Sequence, residues 1–164
     1  IADTVWCNDK TNVTDTSYNP WDYSNVTGLG YGTNVTYYGA TQRLVGTSGS
    51  AGGTGPSLKC NELSKITSKV GLITADELAY AGYAYAQNNT TTYLQENATD
   101  TYWWSLSPYA FNGSSAGVWS VYGSIGSFGL DFVFNASGVR PSISLKPSTN
   151  VTGNGTSEKP YVVN

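Results

Sequence analysis

YWWSLSP at residues 102–108, GVWSVYG at 117–123, SFGLDFVF at 127–134 and GVRPSISL at 138–145 are short runs rich in aromatic and β-branched residues. Each is bounded by Gly, Pro, Asn or Ser, the pattern of successive strands. Alternation assigns their faces: Leu130, Phe132 and Phe134 fall on one side of a strand, Asp131 and Val133 on the other, and Trp103 and Trp104 on opposite sides. Pro141 has no N–H for a ladder and is expected at a strand edge or bulge.

Upstream, Thr74-Ala75-Asp76-Glu77 reads as a capping box opening a helix, with Leu78 and Ala81 on one face and an end near Gly82. Tyr83–Gln87 are a possible extension of it. Asp76 and Glu77 are then helix-start carboxylates rather than an acid and base pair. Residues 1–40 are dense in Asn, Thr, Tyr and Gly, with Gly28, Gly30 and Gly32 as punctuation, and predict short strands and loops. GTSGSAGGTGP at 46–56 reads as a flexible loop, and it lacks the GK[ST] ending of a phosphate loop.

The 164 residues fit one domain, 1–164, with five Trp, thirteen Tyr and four Phe to fill a core. Only 12% of residues are charged, against about 25% in ordinary soluble proteins, so hydroxyls, amides or attached sugars must keep the surface wet. A net charge of −3 without a basic cluster gives no footprint for nucleic acid. No run approaches the roughly 20 apolar residues of a membrane span, so no membrane contact is expected from this segment. A chain that begins at Ile1 leads us to expect that a leader or an upstream segment has been removed.

Two cysteines and no histidine fit a Cys7–Cys60 disulfide better than a metal site, two buried thiols being the alternative. The disulfide implies an oxidising compartment, hence an extracellular or cell-surface location. Asn12, Asn25, Asn34, Asn88, Asn89, Asn97, Asn112, Asn135, Asn150 and Asn154 each begin an N-x-[ST] triplet. Ser and Thr make up 39 of 164 residues, so chance would place only three or four of the fourteen asparagines this way. The excess argues for Asn-linked glycans; the competing account is turn chemistry in a β-rich chain.

The blocks VGLITADELAYAG (70–82), YWWSLSP, GVWSVYGSIG (117–126) and GVRPSISLKP (138–147), with VWCND (5–9), PSLKC (56–60) and the closing GNGTSEKPYVV, resemble an extracellular domain of bacterial surface and pilin-like proteins. The GVRP block further resembles C-type-lectin-like folds related to formylglycine-generating enzymes. That resemblance implies an α+β, C-type-lectin-like fold: a twisted antiparallel sheet with one or two short helices and long irregular loops. The copper-binding cysteine pair of those enzymes has no counterpart here, so their activity is not implied. Arg140, which matches the block, is read as structural, bonding loop carbonyls or pairing with a carboxylate such as Asp131.

Without histidine there is no Ser-His-Asp chemistry; the eleven acids leave a glycoside hydrolase as a remote alternative, although nothing singles out a carboxylate pair among them. No enzyme activity, cofactor or metal is expected, and no EF-hand pattern for calcium is present. The leading expectation is a structural and adhesive subunit of a surface appendage such as a pilus-like filament, its partners being copies of itself. The alternative is a lectin-like or receptor-binding module meeting cell-surface glycans or proteins. In that reading one of Trp103 and Trp104 is a stacking platform, and the loops after the helix and around Asn112–Ala116 shape a pocket. Mass spectrometry of native protein is expected to find Cys7 joined to Cys60 and sugar on several triplets; a bare polypeptide with two reduced thiols would remove the surface-glycoprotein reading.

Overall fold

A computed structural model describes residues 1–24, 26, 34–60, 64–96, 98, 101–156 and 158–164. The triplet asparagines Asn25 and Asn97 and the glycines Gly28, Gly30 and Gly32 lie outside the described residues. The centre is an antiparallel meander of β5 (Tyr102–Phe111), β6 (Ala116–Tyr122) and β7 (Ser127–Phe132). The free edge of β5 is used at both ends. β2 (Thr36–Tyr37) pairs antiparallel with Phe111 and Ala110, and β8 (Gly138–Val139) pairs parallel with Trp103 and Trp104. Between them the Leu106 N–H donates to Ile73 O at 2.9 Å, leaving little of the edge for another chain. Pro108 sits inside this strand at a register irregularity, the place where a missing N–H is tolerated.

The inward face carries Trp103, Tyr109, Trp119, Val121 and Phe128, all buried. Two short helices cover it: α1 (Gly39–Leu44) supplies Ala40 and Leu44, and α2 (Ala75–Tyr80) supplies Ala75 and Leu78. The serines at the inward positions 105 and 107 of β5 are small enough to admit the helices, and Ser107 Oγ accepts the Ala75 N–H at 2.9 Å, one of the donors that a helix start leaves over. The capping box forms as expected: the Thr74 hydroxyl accepts from Glu77 N, and the Glu77 carboxylate accepts from Thr74 N. Gly82, at φ +100°, ends that turn, and residues 83–87 do not extend it, because Tyr83 enters the core and Tyr85 bridges to Phe128 on β7.

The stretch at 46–56 is not a free loop. Gly52 N donates to Leu44 O, Thr54 N to Gln42 O and Gly55 N to Arg43 O, so it closes the carbonyl end of α1. Gly53 has φ +92°, and a Cβ there would stand 2.5 Å from the Arg43 and Gln42 carbonyl oxygens. Only glycine fits that approach.

Outside the main sheet, β1 (Thr4–Cys7) pairs with β3 (Lys65–Ser68), and β4 (Val70–Leu72) pairs with β9 (Pro141–Ile143). The Cys7–Cys60 disulfide ties β1 to the segment that follows the glycine loop. A link across 53 residues of chain is worth on the order of 4 kcal/mol in the chain-entropy account. A last hairpin, β10 (Val151–Thr152) with β11 (Val162–Val163), is exposed along both strands. α3 (Tyr93–Glu96) is a single turn.

The expected α+β, C-type-lectin-like fold is not what forms. Strand makes up 36% of the chain and helix 11%, so the protein is a small β-rich domain around a curled antiparallel sheet. The helices of six, six and four residues are too short to make a layer of their own.

One buried side chain fixes α1 to the sheet: the Thr41 hydroxyl donates to Tyr109 O at 2.6 Å and accepts from Trp119 Nε1 at 3.2 Å. Thr41→Val leaves the buried Trp119 N–H unmet and the Tyr109 carbonyl with only the Tyr38 N–H, an expected loss of about 1–3 kcal/mol, whereas Thr41→Ser keeps the hydroxyl and is expected to lose about 1 kcal/mol or less. Urea unfolding of the two variants measures the difference, and equal midpoints would show that the hydroxyl is dispensable.

Candidate functional site

Aromatic side chains surround a hollow of about 220 Å³ against the main sheet. Its floor is Tyr109 and Ala110 of β5, one wall is Leu130 and Phe132 of β7, and a second wall is Tyr85 from the segment after α2. Tyr37 of β2 and Val35 just before it, Trp21 and Tyr23 from a loop near the N-terminus, and Asn112 of the β5–β6 turn complete the lining. The rings brace one another. Trp21 stacks on Tyr109 with centroids 5.5 Å apart and meets Tyr37 at 5.4 Å, and Tyr109 lies 4.7 Å from the core ring of Trp119.

The front loop is held by one amide. Asn19 Oδ1 accepts from Tyr23 N and from the Tyr37 hydroxyl, both at 3.0 Å, while its Nδ2 donates to Tyr23 O at 2.7 Å. Asp22 takes φ +54° to complete the turn, a conformation that aspartate tolerates better than most side chains. Behind it the Tyr18 hydroxyl reaches the carbonyls of Thr41 and Val45. Burial, together with the facing Tyr85 hydroxyl, pushes the Tyr109 phenol far above its ordinary range, and its oxygen finds no partner at ordinary hydrogen-bond length. Burial likewise raises Tyr18 and Tyr37. Among the described residues no charged side chain is part of the lining, a surface suited to an uncharged group with an apolar face.

A second concavity of about 370 Å³ lies beside the disulfide and contains the strongest polar cluster of the described residues. Arg43 grips Asp76 bidentately, Nε to Oδ1 and Nη2 to Oδ2, each at 2.7 Å, and turns Nη1 to Asp9 Oδ2 at 2.8 Å. Ser57 N also donates to Asp76 Oδ1 at 2.8 Å. Burial raises the Asp9 carboxyl, but hydrogen bonds from Thr11 and Arg43 outweigh it and hold the group below the usual carboxylate range. Both carboxylates serve one guanidinium as acceptors, which is bracing rather than acid and base chemistry. Asp76 thus does more than start a helix, a role invisible without its distant partner.

Trp103 is a core residue, with the Arg140 guanidinium 4.9 Å above its ring, and Trp104 is half-buried on the opposite face. Neither lines the hollow. Arg140 also donates to the Leu94 carbonyl, so its carbonyl role is realised. Asp131 is engaged elsewhere: it accepts from Asn135 Nδ2, from the Ser137 hydroxyl and from Phe132 N. Burial raises its carboxyl, and these bonds, led by that from Ser137, bring it below the ordinary range. Among the triplet asparagines, Asn88, Asn135, Asn150 and Asn154 are exposed, and Asn12, Asn34, Asn89 and Asn112 are half-buried. In Asn89, Asn112 and Asn154 the side-chain oxygen accepts from the backbone and hydroxyl two residues on. Asp15 makes the same turn with Ser17, so turn chemistry accounts for part of the spacing.

The aromatic walls were not apparent as a site in the sequence, although YNPWDY at 18–23 puts two of their aromatic residues, Trp21 and Tyr23, within three positions. Of the loop at 112–116 Asn112 lines the hollow, and of the segment after α2 Tyr85 does. The family pattern described as Domain of unknown function (DUF6273) matches residues 32–147. The chain belongs to the DUF6273 family. The match runs from just before β2 to just past β9, so the DUF6273 portion supplies Tyr37, Tyr85, Tyr109, Asn112 and the β7 wall, while Trp21, Tyr23 and Cys7 lie before it. No curated protein and no solved structure matches the chain.

Asp9 and Asp131 lie below the ordinary aspartate value of 3.8, so the unfolded chain binds more protons than the fold, and stability present at neutral pH is lost as pH falls through and below that value. Thermal melts are expected to be level above about pH 5 and to drop below about pH 4, with a shallower drop in Asp131→Asn. Arg43→Met, which strands the buried Asp76 carboxylate, is expected to lose about 3–5 kcal/mol in urea unfolding.

Proposed function

We propose that the protein is a non-catalytic structural and adhesive module of the extracellular surface, and that the aromatic hollow is its adhesive contact. The hollow is the observation that carries the reading. Its faces are rings, and among the described residues its lining is uncharged, with phenol hydroxyls, the Trp21 indole and the Asn112 amide as its polar side-chain groups. A sugar ring has the matching chemistry, with C–H groups on one face to stack on Trp21 and hydroxyls at its edge to bond. The disulfide, the density of Asn-linked triplets, the low charge and the resemblance to bacterial surface and pilin-like proteins all support an extracellular setting.

A specific observation favours assembly with copies of itself as well. Val5 and Ile66 on the β1–β3 pair, Val70 and Ile143 on the β4–β9 pair, and Val151, Val162 and Val163 on the last hairpin are all exposed. Apolar side chains exposed on short strands, with Lys65 and Lys69 beside them, favour packing between neighbours in a filament.

Protein prepared without glycans is expected to bind neutral saccharides on an array, and Trp21→Ala to weaken that binding about tenfold, the worth of one good ring contact. An array without hits, or hits indifferent to Trp21→Ala, removes the adhesive reading. Sedimentation should show association that Val70→Lys abolishes; a monomer at every concentration, together with dispersed particles in electron micrographs, removes the filament reading.

A further inference from the structure

We infer that the hollow is the seat of the protein's own carbohydrate, the first sugar ring joined to Asn112 lying against the aromatic walls. This rests on the reading of the hollow as a sugar site and adds its resident occupant. Of the triplet asparagines among the described residues, Asn112 is the one that lines the hollow. Its triplet, Asn112-Gly113-Ser114, is the acceptor pattern for Asn-linked sugar.

The orientation of the amide is fixed by the turn. Asn112 Oδ1 accepts from Ser115 N at 2.9 Å and from Ser114 N at 3.3 Å, with the Ser114 hydroxyl at 3.4 Å. No described residue takes a hydrogen bond from Nδ2. Attachment forms a bond from Nδ2 to the anomeric carbon of an activated sugar diphosphate; the diphosphate leaves with the electron pair, and the amide gives up one proton. The turn uses only Oδ1, so it survives the modification unchanged. A ring on this tether starts at the lining itself, and Tyr23, nearly half exposed at the mouth, and Phe132 offer it two faces. A ring held there fills a concavity that would otherwise present bare aromatic surface to water. Glycosylation at Asn112 therefore decides whether the hollow is filled in cis or open to an outside sugar.

The test uses protein secreted from a host that glycosylates N-x-[ST] triplets, digested under native conditions by an amidase that hydrolyses the Asn–sugar bond and followed peptide by peptide. Asn112 is expected to be occupied and to be released at least about tenfold more slowly than Asn154 on the exposed hairpin, and Tyr23→Ala to close most of that gap. An unmodified Asn112, equal release rates, or protection that Tyr23→Ala leaves untouched overturns the inference. Ser114→Ala, which removes the acceptor pattern, separates the two claims through its binding of free N-acetylglucosamine. Binding by this variant, with no protection at Asn112 in the parent, overturns the cis occupant alone, whereas no binding and no protection removes the sugar site as well.

Discussion

The hydroxyl of Thr41 is the joint on which the structure turns. It lies fully buried between the Tyr109 carbonyl on β5 and the Trp119 indole on β6, and so holds a six-residue helix that has no side-chain cap of its own. A helix of that length is not stable by propensity; it persists because tertiary partners meet its polar groups. The glycine-rich stretch after it performs the same service for its last carbonyls.

Both concavities hang from that helix. On one side the Thr41 and Val45 carbonyls receive the Tyr18 hydroxyl, which sets the loop carrying Trp21 and Tyr23. On the other side Arg43 locks Asp76 of α2 to Asp9 of the N-terminal segment, two residues beyond the disulfide. A rigid inner layer with a braced polar end and an aromatic end explains how a chain with few charges orders long stretches of irregular backbone. The braced end keeps its charges satisfied. The aromatic end keeps a cavity open, with the Tyr109 phenol buried and facing only the Tyr85 hydroxyl among the described residues.

Features whose partners lie close in sequence were legible in the residues themselves. The capping box of Thr74 and Glu77 spans three residues and the hairpin strands declare themselves by alternation; the one long-range exception is Cys7–Cys60, 53 residues apart, legible because the chain has no third cysteine and no histidine. The split of Leu130 and Phe132 from Asp131 follows from the strand period, and it holds as far as the strand does, to Phe132. Phe134 lies beyond that end, exposed and stacked on Phe132.

What depends on partners tens of residues away was decided by the tertiary structure alone. Nothing local marks Gly39–Leu44 as a helix, pairs Arg43 with Asp76, or gives Arg140 to Trp103 and Leu94 in place of Asp131. The resemblance pointed to a mixed α+β fold, while packing stopped each helix within two turns and left a curled sheet in charge. The sequence by itself determined the chemistry available: aromatic, hydroxylated, weakly charged, with one pair of sulfurs. Only the fold determined where that chemistry converges, because Trp21, Tyr37, Tyr85, Tyr109 and Phe132 come from segments that meet through long-range pairing, and no local pattern encodes such a meeting.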